Sequence, residues 1–311
     1  MSFVHLHVHS YYSFLDGAAS PSDLSAKAQF LGMPALALTD HNRLTGAIRF
    51  YDAAKKAGVK PIIGAEIDIE GGYHLILLCK DLAGYSSLCR LLTDMHCGKK
   101  GDHPAATRVM LYDHSQGLIA LSGCGRGEIP YLLAQGKREE AAHAAGFYRE
   151  AYGDGFYIEL FRYPAREGTP LCYMLSSFAH EQKLPTVATN NVHYLEMQGY
   201  RIHELLNAIG HIVPVPALPG PRTVEQYFKS PAEMKTLFRD FPGAAARTLE
   251  IASRCNLELG LGKPRFPSFD LPEGETAEGL LRRLSCEGVL RRYGKMTPGI
   301  EARLELELAT I

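Results

Sequence analysis

The sequence predicts an α/β fold: a closed or nearly closed barrel followed by a mostly helical extension. Three observations carry that reading. Short apolar runs alternate with helix-like segments through the first two-thirds of the 311 residues, the pattern of repeated β/α units. About seven such runs with crossover helices favour a barrel over an open doubly wound sheet. No G-x-G-x-x-G follows the first apolar run, which counts against a dinucleotide-binding fold.

Residues 3–8 read as a first strand, and Ser20 then caps a helix with Pro21 in its first turn that runs to Gly32. A short buried strand over 35–38 leads to a helix over 45–57 closed by Gly58. The strand over 61–67 is followed by Gly71, Gly72 and the apolar run 75–78. A glycine pair between two strands signals a hairpin, which interrupts a strictly parallel sheet. Helices over 82–97, 137–152 and 171–184 alternate with strands over 117–121, 156–161 and 186–189. The proline-rich stretch 214–221 reads as a linker, so the expected division is a barrel over residues 1–213 and a helical extension over 214–311. In that extension, helices are expected over 232–238 and 244–254, with two amphipathic helices from Ala277 to the end.

Composition narrows the function classes. With 46% hydrophobic side chains, the chain can bury one substantial core and carry a smaller appendage. The start is neither basic nor followed by a long apolar run, and no later stretch reaches membrane-spanning length, so a soluble cytoplasmic protein with no membrane partner is expected. Seven cysteines without a C-x-x-C pair fit reduced thiols better than a disulfide framework. A formal net charge of −1 gives no global pull toward nucleic acid, although a local basic cleft can still hold phosphate. Thirteen histidines are more telling, because several sit in short clusters with carboxylates.

The polar residues that stand out fall near the ends of predicted strands, where barrel enzymes place their functional groups. After the first strand come His5, His7 and His9, then Asp16; after the second, Asp40 and His41; near the end of the third, Glu66. His74 follows the glycine hairpin, Cys124 follows the strand over 117–121, and Asn190, Asn191 and His193 follow the last strand. Alternate strand residues share a face, so His5, His7 and His9 can lie on one side. Imidazole, carboxylate and one thiolate suit zinc, manganese or iron better than calcium or magnesium. Nine candidate ligands exceed the three or four of one catalytic zinc and imply more than one ion.

Together, HLHVHS, LDG, TDHN, GAE, YHLILL, SGCGRGE and ATNNVHY resemble the successive motifs of the PHP domain of bacterial C-family replicative polymerases, the front part of DNA polymerase III alpha subunits. KSPAEMKTLF, LEIASRCNLEL and FPSFDLPEGETAEGLLRRL resemble the connection from that domain toward the palm, so the resemblance covers essentially the whole chain. IELFRYP, VATNNVHY and KSPAEM lean toward the error-prone, translesion branch. The resemblance implies a distorted (β/α)7 barrel with up to three metal ions and a metal-bound water as nucleophile. It places one ion on His7, His9, Glu66 and Asn191, a second on Glu66, His74 and Cys124, and a third on Asp16, His41 and His193. Relatives with an intact site have Asp where this chain has Asn191, so a neutral amide replaces an anionic ligand.

The implied activity is metal-dependent phosphoester hydrolysis, as a 3′-5′ exonuclease acting on a DNA 3′ end, with the polymerase palm and thumb as partners in a longer chain. Polymerase aspartate motifs are absent, so nucleotidyl transfer is not expected of these residues. Two alternatives stand beside it: a free-standing phosphatase of the histidinol-phosphatase kind, and a PHP scaffold that stabilises a polymerase without turnover. His5, Asp40 and Asn190 are expected to support the ligands from behind, because metal-bound imidazoles donate their other N–H to such groups. Arg162 is a candidate phosphate contact. His96, His103, His114, His143, His180, His203 and His211 are expected to be surface or capping residues, and Cys79, Cys89 and Cys172 small core residues.

Overall fold

A computed structural model of the chain describes residues 2–98, 104–163, 168–218, 223–264, 267 and 269–311. His103 and part of the expected 214–221 linker lie outside those residues. Six strands form one sheet in sequence order: β1 (Ala35–Leu38), β2 (Lys60–Ile69), β3 (Tyr73–Cys79), β4 (Leu118–Leu121), β5 (Phe156–Phe161) and β6 (Thr186–Thr189). β3 runs antiparallel to both β2 and β4, while the other pairs are parallel. The β2–β3 turn passes through Gly71 and Gly72 at φ +94° and +82°, a backbone region that side chains strongly disfavour.

The expected first strand does not form. Residues 3–8 are extended but not a ladder strand, and a bend at His7 interrupts them. The segment still spans the two ends of the sheet: Ala37 and Thr39 donate to the carbonyls of His5 and Val8, while Val192 and His9 exchange hydrogen bonds with His7 and Val192. Side chains take the remaining bonds, since the amides of Val4 and Val8 donate to Thr248 and Thr39. The result is a half-barrel whose seventh stave is an irregular extended strip.

Strand alternation sorts the core into two layers. Val4, Leu6, Ala35, Ala37, Ile62, Ile76, Leu78, Ile119, Leu121, Tyr157 and Val187 form an inner cluster, together with Ile251 and Ala252. Leu36, Leu38, Leu75, Leu77, Ala120, Ile158 and Leu160 belong to the larger outer cluster beneath the helices.

The crossover helices are α1 (Pro21–Phe30), α2 (Ala47–Lys56), α3 (Leu82–Cys97), α4 (Arg108–Asp113), α5 (Glu128–Ala134), α6 (Arg138–Tyr152) and α7 (Gly168–Glu181), followed by α8 (Tyr200–His211). Ser20 caps α1 through the Asp23 amide, as its sequence predicts. α4, α5 and α8 were not expected: the first two are short, and α8 has no side-chain cap. After them come α9 (Pro231–Leu237), with a capping box between Ser230 and Glu233, and α10 (Pro242–Arg254), which packs on β6.

The chain divides into two compact units, Met1–Leu259 and Gly260–Ile311. The expected division at 213/214 falls inside the first unit, to whose inner core α10 contributes Ile251 and Ala252. The second unit contains α11 (Ala277–Tyr293) and α12 (Pro298–Thr310), with ion pairs Arg282–Glu305 and Arg283–Glu275. These helices are not amphipathic as expected: Leu280 is buried, but Leu281, Leu284, Leu290, Tyr293 and Leu306 are exposed. No helix among the described residues is long and apolar enough to cross a membrane.

Candidate metal centre

The inner-layer parity continues past the apolar core at one end of the sheet. On β2 it runs from Ile62 to Glu66 and Asp68; on β3 it runs back from Ile76 to His74; on β5 it passes from Tyr157 to Glu159. β2 and β3 therefore carry candidate ligands at this end of the inner face, and β5 carries the carboxylate that backs His7. In the N-terminal strip, Val4 and Leu6 lie in the inner layer, so regular alternation would turn His7 outward. The bend at His7 breaks that alternation and brings His7 and His9 to the same carboxylate.

That carboxylate is Glu66, 1% exposed. Its Oε2 lies 3.2 Å from His7 Nε2, 3.0 Å from His9 Nε2 and 3.4 Å from His41 Nε2. Its Oε1 lies 2.5 Å from His74 Nδ1. Beside it, Asp16 Oδ2 is 3.0 Å from His193 Nε2 and 3.3 Å from His41 Nε2. Asp68 Oδ1 is 3.0 Å from His74 Nε2. Three overlapping donor groups result: His7, His9 and Glu66; His9, Asp16, His41 and His193; and His41, Asp68 and His74.

Local structure explains why these side chains arrive together. Asp16 sits on a turn closed by bonds from the Ser13, Asp16 and Gly17 amides. A Cβ on Gly17 would lie 2.0 Å from the Ser10 carbonyl oxygen, so only glycine lets the turn fold this tightly. Asp40 accepts bonds from the Ser10 amide, the Ser10 hydroxyl and the Ser13 hydroxyl. Ser13 in turn lies 2.9 Å from His9 Nδ1. His41 and His74 are tied to neighbouring backbone by bridges to Glu66 and Gly127.

The electrostatics follow from this crowding. Burial pushes the Glu66 pKa up, but His41, His74 and His7 together hold it well below the usual carboxylate range. Burial likewise works to raise Asp16, yet His193 and His41 hold it well below its ordinary value. Burial opposes protonation of His7, but Glu159 and Glu66 override it and raise its pKa to about 10. His74, beside Glu66 and Asp68, is raised to about 9 against the same opposition. His9 moves the other way, lowered by burial and by His193. Without a cation, the centre is an arrangement of carboxylates whose charge is balanced by protonated imidazoles.

The structure brings together His7, His9, Asp16, His41, Glu66, His74 and His193. It leaves Cys124 outside all three donor groups. Cys124 is buried near Glu66 and Glu159, and its thiol is pushed up by burial and by those charges. Asn191, at φ +47°, has a buried Oδ1 without a hydrogen-bond partner, and its backbone carbonyl lies 2.9 Å from His193 Nδ1.

Of the expected supporting residues, Asp40 acts on His9 through Ser13. His5 instead lies against the Lys229 carbonyl at 2.8 Å and Phe228, and burial lowers its pKa to about 4. Asn190 donates to the Glu225 and Tyr227 carbonyls. Arg162 bonds the Leu237 carbonyl and pairs with Asp240 at 2.7 Å, which occupies its guanidinium.

Five contributors went unread in the sequence. Glu159 is fully buried, with Oε1 2.8 Å from His7 Nδ1 and 2.5 Å from the Thr189 hydroxyl. Asp68 and Ser13 contact His74 and His9. His203, expected at the surface, lies 2.8 Å from the Asp16 carbonyl oxygen and packs on His193, with Asn207 also bonding Asp16. Both come from the unexpected helix α8.

The donor chemistry fits divalent metal ions. Imidazole and carboxylate converge within ligation distance of one another, and buried Glu159 Oε2 and Asn191 Oδ1 lack protein partners at the edge of the cluster. Fold and site thus define an α/β half-barrel protein whose donor cluster suits divalent metals. The PHP domain model matches residues 5–162, just over half of the chain, and the chain belongs to the PHP domain family.

Over its whole length it is 42% identical to an error-prone DNA polymerase of Symbiobacterium thermophilum. It is 36% identical to the DNA polymerase III subunit alpha of Treponema pallidum over 100% of its length, and 35% identical to that of Escherichia coli over 97%. It spans 30%, 28% and 27% of those three relatives. Among solved structures, an amidohydrolase from Chromobacterium violaceum covers 62% of this chain and 88% of its own at TM-score 0.47 and 16% identity, a likeness too loose to bear on function.

Proposed function

We propose that the protein is a metal-dependent phosphoesterase that removes nucleotides from DNA 3′ ends, as the PHP module of a DNA polymerase III alpha subunit in replication or translesion synthesis. The convergence of four imidazoles on the buried Glu66 carboxylate is the observation that supports this most strongly. Two or three ions of the zinc, manganese or iron kind, when bound, would polarise a phosphate oxygen and lower the pKa of water toward neutrality.

The chain's own residues prepare the site for that chemistry. Glu159 accepts from His7 Nδ1–H, which fixes the tautomer and leaves Nε2 free to ligate. The Asn191 carbonyl does the same for His193 and leaves its Nε2 toward Asp16. Asp40 and Ser13 set the His9 ring through Nδ1. His41 and Asp16, 26% and 20% exposed, border the accessible side of the cluster, where a phosphoester can approach.

The test is metal analysis of protein purified without chelator, followed by hydrolysis of single-stranded DNA with added Mn²⁺ or Zn²⁺ and with EDTA. Slow 3′-end cleavage abolished by EDTA is expected. Metal-loaded protein that cleaves histidinol phosphate and leaves DNA intact would favour the small-molecule phosphatase. Metal-loaded protein that hydrolyses neither would favour the scaffold.

A further inference from the structure

The accessible rim of the metal centre is formed by Asp16 and His41, 20% and 26% exposed, with Asp16 Oδ2 3.3 Å from His41 Nε2; the His74 ring lies behind it, 4% exposed and 5.3 Å from the His41 ring. Two arginines flank this rim. Arg43 lies two residues beyond His41 and donates through Nε to the His41 carbonyl at 3.2 Å. Arg126 lies across from His74, whose amide donates to the Arg126 carbonyl at 3.0 Å, and its positive charge acts on the His74 ring. Both side chains are exposed, and neither forms an ion pair among the described residues. Elsewhere Arg108, Arg162 and Arg254 are each neutralised by a carboxylate. At the Asp16 end of the rim, Phe14 is 72% exposed on the same tight turn.

Unpaired guanidiniums beside a hydrolytic centre bind phosphate oxygens through several donors in fixed geometry. An exposed aromatic ring at the end of such a track provides a platform for a nucleobase, whose stacking is tolerant of sequence. We propose that Arg43 and Arg126 hold backbone phosphates of a single-stranded nucleic acid laid along this rim, with Phe14 stacking on one base. The inference rests on the phosphoesterase reading and deepens it: the substrate is a strand carrying several phosphates, and Arg162 is not its phosphate ligand.

The test is fluorescence anisotropy of a labelled oligo(dT) 10-mer with the 311-residue chain, in EDTA to prevent cleavage, over a salt series. Removing both contacts in an R43A/R126A double variant should reduce the slope of log affinity against log salt by about 1.4, at about 0.7 per phosphate on a single strand. R126K should recover most of the Arg126 share, because it restores the charge. F14A should weaken binding roughly tenfold and leave the slope unchanged, since stacking releases no counterions. An unchanged slope in the double variant, or equal competition by a duplex of the same length, would overturn the proposal. Separately, wild-type protein that binds the oligomer with the expected slope but never cleaves it with Mn²⁺ would remove the phosphoesterase reading and leave the binding track standing. Metal content of each variant should match the wild type, which excludes a general collapse of the centre.

Discussion

Glu66→Gln is the most informative single change, because it keeps the shape of the side chain and deletes the charge on which His7, His9, His41 and His74 converge. In metal-free protein the cost can be bounded from His74 alone. Holding its pKa at about 9 against an ordinary 6.5 is worth about 2–3 kcal/mol at pH 7, and Glu66 is the largest contributor raising it. The His74 side chain is 4% exposed, so solvent screening takes little away. Asp68 stays beside His74, so the loss is at most about 2–3 kcal/mol, which lowers the melting temperature of a domain of this size by up to about 5–10 °C. Metal binding should suffer more, because both carboxylate oxygens touch donor imidazoles: at least half of the wild-type metal should be lost after dialysis. Differential scanning calorimetry in EDTA and elemental analysis give the two readouts. Glu66→Gln protein with wild-type metal content, or an unshifted melt in EDTA, would refute the central role of this carboxylate.

Glu159→Gln should weaken metal binding about 10–100-fold by loosening the tautomer and orientation of His7, as read by competition with a chromogenic chelator. Asn191→Asp should raise metal affinity in a Mn²⁺ or Zn²⁺ titration, because its unpartnered buried Oδ1 would become anionic and its positive φ tolerates Asp; unchanged affinity would show that this side chain never meets a metal. In EDTA, thermal stability should fall as pH rises, since His7 and His74 have raised pKa values: their contribution is full below about 6.5 and fades through about 9 and 10. With metal the trend should reverse, because ligation requires neutral imidazoles and releases their protons.

Most of the site was legible because its ligands cluster in short motifs at strand ends, where His and Asp have no packing reason to accumulate. Glu159 escaped because FYIELF reads as an ordinary buried strand with one acid. A signal was present: a carboxylate in a strand buried on both faces has to find a partner, and its parity with Tyr157 placed it on the inner face. Asp68 in IDIE carried the same signal two residues after Glu66. His203 was unreadable for a different reason: helix α8 has exposed Ile202, Leu205 and Ile209 and no side-chain cap, so neither its start nor its inward face is marked in the sequence. The first strand was misread because apolar alternation predicts a straight ladder. The structure spends part of that backbone's hydrogen bonding on Thr39 and Thr248, and bends the chain at His7.

The overlap of the donor groups constrains how ions could share them. An imidazole nitrogen has one lone pair and serves one ion, yet His9 and His41 each belong to two groups. If three ions are to bind together, His9 must go with His7, and His41 with Asp16 and His193. The third ion then keeps only His74 and Asp68, too few for a stable site. Glu66 Oε2 would complete the set of His7 and His9, but Oε1 faces His74 Nδ1 while Asp68 faces Nε2 on the opposite edge of the ring, so the two carboxylates cannot meet on one nitrogen of His74. Two ions would then each have three protein donors and an open position for water or substrate, the arrangement that catalytic rather than structural metal sites adopt, while the third set stays incomplete. A stepwise titration should therefore saturate at two tightly held ions, and a third tight phase would contradict this partition.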